Sequence, residues 1–87
     1  MVDAVLQSLA HPVRRALLEQ IIGLGTTTVA ELTRRNNMTQ SGISQHLQWL
    51  KQARLIVGRQ EGRMIKYRAR PNGLAPLANW IGKLRGD

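Results

Sequence analysis

Between Thr39 and Gln48 the chain carries Gln40, Ser41, Ser44, Gln45 and Gln48. Interleaved with them, and just beyond, stand Ile43, Leu47 and Leu50. At about 100° per residue these three apolar residues fall on one helix edge. The amides and hydroxyls spread over the opposite face. An idle solvent face usually carries Glu and Lys, which form helix and solvate well. Here the side chains donate and accept hydrogen bonds without charge. Gln can address adenine with two hydrogen bonds, Ser can address several bases, and neither repels phosphate. The alternative is a polar face that meets only water. Gly42 lowers helix propensity in the first turn. It also leaves room for close approach to DNA or to the preceding helix.

A second cluster follows. Leu55-Ile56-Val57 opens a strand, Glu61-Gly62 suits a tight turn because Gly accepts positive φ, and the chain then alternates. Ile65, Tyr67 and Ala69 fall on one face, and Lys66, Arg68 and Arg70 on the other. Period two implies one buried and one solvated face. From residue 38 to 70 the basic residues are Lys51, Arg54, Arg59, Arg63, Lys66, Arg68 and Arg70, and the only acid is Glu61. Arg59, Arg63, Lys66 and Arg68 are candidates for contact with phosphates or the minor groove. Charge that protects an edge strand from aggregation is the competing reading. Thr39 and His46 join the candidate backbone contacts. His46 would hydrogen-bond a phosphate or the neighbouring helix.

Other elements must position these groups. Val2, Val5, Leu6 and Leu9 recur at helical spacing, predicting a first helix that ends near Ala10. His11 caps a second helix that starts at Pro12, a residue suited to the first helical position. This helix runs to about Ile22 with Val13, Ala16, Leu17 and Ile21 inward, and Gly23 and Gly25 end it. Thr26-Thr27-Thr28 reads as a short edge strand. Thr28 with Glu31 fits a capping box for a third helix, Val29 to Arg35, with Val29, Leu32 and Ala30 toward the core. Asn36-Asn37 breaks it, since Asn tolerates left-handed geometry. Thr39 caps the fourth helix, which extends to about Gln52. Pro71-Asn72-Gly73 ends the hairpin, and Leu74, Leu77, Ile81 and Leu84 mark a stripe on a last helix. The expected fold is mainly α with a small β-hairpin wing, a winged helix-turn-helix in the order α-α-α-α-β-β-α. Residues 1–87 form one domain.

The stripe of Leu74, Leu77, Ile81 and Leu84, with Trp80 beside it, has two uses. It can cap the domain's own core, or pack across a two-fold axis with Val2, Val5, Leu6 and Leu9. The dimer is favoured because two half-sites are the usual source of affinity for so small a module. A chain of 87 residues also buries a modest share of its surface.

Thirteen Lys and Arg stand against five Asp and Glu, a net charge of +8, with a pI of about 11.6. That balance favours a polyanionic partner. The absence of cysteine excludes disulfides and thiolate metal sites. No signal-peptide pattern stands at the N-terminus, and no apolar run nears the roughly 18 residues that span a bilayer. A cytoplasmic protein is expected. His11 and His46 are the only histidines and lie on different elements, without acids at metal-ligand spacing. No triad, paired carboxylates or nucleotide fingerprint is visible. Neither an enzyme nor a bound cofactor is expected.

Leu9-Ala10-His11-Pro12-Val13-Arg14-Arg15-Ala16-Leu17-Leu18 resembles the opening motif of the ArsR/SmtB-type winged-helix repressors. Val29-Ala30-Glu31-Leu32 followed by Thr39 through Leu47 resembles their helix-turn-helix. Leu55-Ile56-Val57, Gly62-Arg63 and Tyr67-Arg68 resemble their wing. The resemblance covers nearly the whole chain. It implies a homodimer formed by the first and last helices and an operator read by the fourth, with Gln40, Ser41, Ser44 and Gln45 at the base-contacting positions. The family's metal sites use a cysteine pair in the third helix or Asp and His in the last. Glu31-Leu32-Thr33-Arg34-Arg35 has no Cys, and Leu74 to Arg85 has no His, Asp or Glu. The resemblance is therefore to a non-metal-sensing branch, whose signal is a small molecule, a partner protein or nothing.

The sequence thus points to a homodimeric, sequence-specific regulator of transcription, a repressor on an inverted repeat of double-stranded DNA. The competing classes are a nonspecific, architectural nucleic-acid binder driven by charge alone and a protein-docking module.

Overall fold

The computed structural model describes residues 2–86. Five helices and one hairpin follow in order: α1 Val2–Leu9, α2 Pro12–Leu24, α3 Val29–Asn36, α4 Gln40–Gln52, β1 Ile56–Glu61, β2 Met64–Ala69 and α5 Ala75–Arg85. The mainly helical, winged arrangement read from the sequence is the one observed.

The short α1 has no basic residue in its own last turn, and α2 supplies two. Arg14 Nε donates to the Ser8 carbonyl at 2.6 Å, and its Nη2 to that of Gln7 at 3.1 Å. Arg15 Nη1 donates to the Leu9 carbonyl at 2.6 Å. Carbonyls that a helix end leaves unpaired are thus satisfied by cations, which the negative end of the helix dipole also favours. His11 caps α2, its Nδ1 accepting from the Val13 N–H at 3.2 Å. That helix continues two residues past the expected Ile22, because the change of backbone direction falls at Gly25, at φ 79.

Thr28 caps α3, accepting from the Glu31 N–H at 3.2 Å. The return leg of the expected capping box is not made. The Glu31 carboxylate instead accepts from the Thr27 hydroxyl at 3.0 Å and from Arg35 at 3.4 Å. Asn37 in the left-handed region ends α3, one residue later than expected. A reciprocal amide pair, Gln20 with Asn36 at 2.8 and 2.9 Å, ties α2 to α3.

The core joins Leu17, Leu18 and Ile21 of α2 to Leu32 of α3 and to Ile43, Leu47 and Leu50 of α4. Leu55, Ile56 and Tyr67 close it from the base of the hairpin. Ala16 and Ala30, expected inward, are exposed, and Leu18 takes a core position instead. On α2, Leu17, Ile21 and Leu18 span one arc of about 100°, and Ala16 lies a further 100° outside it.

In the hairpin, Ile56 pairs with Ala69 and the register runs to Glu61 with Met64. The turn is therefore Gly62-Arg63, one residue beyond the expected Glu61-Gly62, with Gly62 at φ 63. The threonine edge is a single bridge. Thr27 N–H donates to the Tyr67 carbonyl at 2.9 Å, and Tyr67 N–H to that of Thr27 at 2.8 Å. Tyr67 is buried as expected, but Ile65 is 42% exposed. The hairpin tip projects past the core, so alternation there has no interior to face.

None of the residues of α5 is buried, although the helix rests on α1. Leu6, Leu74, Trp80, Ile81 and Leu84 are all exposed, Leu84 to 68%. Val5, which the sequence reading grouped with this stripe for the dimer seam, is 1% exposed and packs in the chain's own core. It sits on the edge of α1 that faces α2 and α4, and so cannot reach a second copy.

Gly58 faces Tyr67 across the hairpin. A Cβ there would stand 2.9 Å from Ile65 Cγ2 and 3.0 Å from Tyr67 Cε1. Gly58→Ala should therefore destabilise the fold by about 1–3 kcal/mol, the usual range for overpacking. Thermal unfolding measures this; an unchanged midpoint would mean that the Tyr67 ring can move aside.

Candidate nucleic-acid interface

Three residues separate α3 from α4, and the last of them, Thr39, caps α4 by accepting from the Gly42 N–H at 3.0 Å. A Cβ at Gly42 would lie 3.1 Å from Thr39 Oγ1 and 3.5 Å from Met38 Cε. The glycine makes room for the cap and for Met38, a tighter reason than the approach to DNA or to α3 expected of it. The Thr39 oxygen is engaged by the cap. Its proton remains free to donate.

With α4 fixed in this way, Ile43, Leu47 and Leu50 enter the core and the other edge is presented outward. Gln40, Ser41, Gln45 and Gln48 are exposed, and Ser44 is half-buried. Among the described residues none of these five side chains is engaged in a hydrogen bond. The whole face is free to take partners.

A cleft of about 320 Å³ runs between this face and the hairpin. Gln40 and Ser44 line it from α4, Ala30 from α3, and Arg63, Met64 and Ile65 from the hairpin tip. The structure thus brings two of the helix residues and Arg63 to one groove. It does not bring Arg59, Lys66 and Arg68 there. Arg59 pairs directly with Lys66, and Arg68 with Val57, so by alternation they occupy the face opposite Tyr67. Like charges directly opposite on neighbouring strands are unfavourable; Glu61, opposite Met64, is the one acid on that face and forms no ion pair with them.

Ala30, Met64 and Ile65 were not singled out as lining the groove. For the last two a signal was present: consecutive apolar residues just after a turn, of which period two can bury only one. Ala30 has no such mark, because a small apolar residue in a first turn reads equally well as core.

His46 turns away from the groove. Its ring lies 4.8 Å from that of His11, inclined at 57°, and its Nδ1 is buried without a hydrogen-bond partner. Arg14 stacks over Trp49 beside it, 4.5 Å from the ring centroid, a favourable cation–π geometry. Desolvation first, then the charges of His11 and Arg14, hold the His46 pKa below its ordinary value. Of the two roles read from the sequence, the ring's position fits the contact with the neighbouring helix. Elsewhere, the Thr27 hydroxyl lowers the Glu31 pKa; desolvation opposes that effect, and Arg35 and Arg34 add to it. Among the described residues no three His, Cys, Asp or Glu side chains are grouped to hold a metal ion, and no helix is long and apolar enough to cross a membrane.

Residues 9–59 match the model of a helix-turn-helix domain family. The chain is 40% identical over 75 residues to the HTH-type transcriptional regulator Rv2034 of Mycobacterium tuberculosis, an alignment that spans 86% of this chain and 69% of that protein. It is 31% identical over 77 residues to the transcriptional repressor SdpR of Bacillus subtilis, spanning 88% and 84%. The crystal structure of a possible transcriptional regulator for arsenical resistance superposes with a TM-score of 0.81 at 37% identity, covering 91% of this chain and 81% of that one.

His46 gives the site a pH signature. With its folded pKa below the unfolded value of 6.5, the unfolded chain binds more protons as pH falls. Stability is therefore full above about pH 6.5 and declines as pH drops toward the folded pKa. His46→Asn should remove that part of the decline, as read from unfolding midpoints between pH 7.5 and 5. An unaltered profile would assign the pH dependence to other groups.

Proposed function

The chain belongs to the ArsR-type winged helix-turn-helix family of transcriptional regulators, and from that premise we propose that it acts as a homodimeric repressor on an inverted-repeat DNA operator. The observation that carries this reading is the groove in which the uncommitted face of α4 and Arg63 share one channel. In this reading Gln40, Ser41, Ser44, Gln45 and Gln48 address base edges in the major groove. Arg63 follows the backbone or enters the minor groove, with Thr39, Arg59, Lys66 and Arg68 on phosphates. His46 acts from behind, by orienting α4 against α2, and does not touch DNA. Met64 and Ile65 at the wing tip are suited to apolar contact with sugars or base steps.

The apolar stripe supports the dimer. Leu6 on α1, Leu74 just before α5, and Trp80, Ile81 and Leu84 on α5 are exposed, and their own protomer buries no residue of α5. A second copy covering α5 removes that surface from water at roughly 25 cal/mol per Å². Val2, Leu9 and Leu77 are half-buried; Leu9 and Leu77 already pack against the chain's own core and border the seam rather than form it. Two-fold symmetry then sets the two recognition helices about one DNA turn apart, ~34–36 Å. The regulating signal in this reading is not a metal held in the family's usual way. Cysteine is absent from α3, and His, Asp and Glu are absent from α5.

Three measurements test these roles. Replacing Ser44 and Gln45 by Ala should weaken operator binding by about 1–3 kcal/mol per lost base contact and leave binding to random duplex nearly unchanged. Equal losses on both would remove α4 from base readout. Arg63→Ala should instead weaken both and reduce the salt slope by roughly one unit. In sedimentation, Leu84→Glu should shift the chain from dimer to monomer; a persisting dimer would move the seam off α5. Selection of duplexes from a random pool decides the class: a two-fold-symmetric motif supports the repressor, and retention without a motif supports a nonspecific, architectural binder.

A further inference from the structure

Arg54 follows α4 at φ 60. The only other non-glycine residue at positive φ among those described is Asn37, a type that tolerates the left-handed region. Arginine has no such tolerance, and glycine would take the same conformation freely. The backbone is fixed there. Arg54 N–H donates to the Lys51 carbonyl at 3.0 Å, and Gly73 packs so close that a Cβ on it would stand 3.0 Å from the Arg54 oxygen. A side chain kept at a strained position is a signal of use.

The side chain lines a cavity of about 380 Å³, and so do those of Arg68 and Arg70. Ala53, Val57 and Pro76 give it an apolar wall, and no acid lines it. Among the described residues none of the three guanidiniums makes a hydrogen bond or an ion pair. Three exposed cations gather around one space with no acid among them, and each offers a planar fork of donors suited to carboxylate or phosphate. The cavity lies between the end of α4, the base of the hairpin and the start of α5. It shares no residue with the groove lined by Gln40, Ser44 and Arg63.

We propose that this cavity binds a small organic anion bearing two or more negative charges, of the di- or tricarboxylate or phosphate-ester class. The charges meet Arg54, Arg68 and Arg70, and the carbon framework lies on Val57 and Pro76. Occupancy neutralises the gathered positive charge and links helix end, wing base and last helix through one ligand. The site shares Arg68 with the phosphate contacts proposed above and is otherwise separate from the operator groove.

Calorimetric titration of the purified chain with citrate and with pyrophosphate, at constant ionic strength, tests the proposal. Saturable binding of at least one probe is expected, and whichever binds more tightly identifies the carboxylate or the phosphate class. Arg54→Gly should weaken that binding by about tenfold, the loss of one charge-assisted contact. In the absence of probe it should unfold no earlier than the parent chain, since strain is relieved. The Arg68→Gln/Arg70→Gln pair should abolish binding. The Arg34→Gln/Arg35→Gln pair, which removes the same charge from α3, should retain it. The proposal is overturned if neither probe saturates, or if both pairs lose binding equally. It is also overturned if the cavity arginines alter only the affinity and salt slope for duplex DNA, which would make them backbone contacts.

Discussion

Everything the candidate interface offers depends on one edge of one helix. Ile43, Leu47 and Leu50 are at most 2% exposed, and they hold α4 against α2 and α3. Each such side chain is worth roughly 2–5 kcal/mol when truncated, against a total stability of about 5–15 kcal/mol for a small domain. The rotation of α4 about its axis is therefore fixed by hydrophobic burial. With that rotation fixed, the amide and hydroxyl face needs no polar contact inside the protein to be aimed outward. The cap at Thr39 sets where the helix begins, and the Gly42 hydrogen atom leaves the cap its space.

The arginines divide by what surrounds them. Arg14 and Arg15 complete the end of α1, and Arg14 also covers Trp49. They resemble the hairpin arginines in composition and differ from them in employment, because carbonyl oxygens of the preceding helix lie within reach. Arg35 has Glu31. From Arg54 to Arg70 the basic side chains have no acidic partner among the described residues. A high net charge alone does not separate the structural cations from those available to a partner; the position of nearby acceptors does.

Periodicity made most of the fold legible. Leu17, Ile21, Leu32, Ile43, Leu47, Leu50 and Tyr67 were assigned inward and are buried. The caps at His11, Thr28 and Thr39 and the left-handed stop at Asn37 were also readable, since each depends on a residue type at a local position. Errors arose where a distant neighbour decides. Ala16 falls outside the buried arc of α2, Ala30 and Ile65 stay exposed beside the groove, and Val5 lies in the core because α2 and α4 converge there. Glu31 had the right spacing for its box, but the Thr27 hydroxyl was a nearer partner. Of the candidate site, the polar face of α4 was visible in the sequence. So was the shared face of Lys66 and Arg68; the pairing of Arg59 with Lys66 and the placement of Arg63 in the groove were not, because they depend on the register of a hairpin whose turn lies one residue later than its composition suggests.

The clamp of Arg14 and Arg15 on the end of α1 also makes that helix depend on α2. A helix of eight residues is too short to persist alone in water, and the groups that complete α1 arrive only with the first turn of α2. Its stability therefore depends on the contact with α2. Because α5 rests on α1 and no residue of it is fully buried, the two ends of the sequence share one unit of low local stability. The central α2–α4 core and the base of the hairpin can remain closed while that unit breathes. Amide hydrogens should exchange from the two termini long before they exchange from α4, and whatever covers the terminal helices sets how often they open.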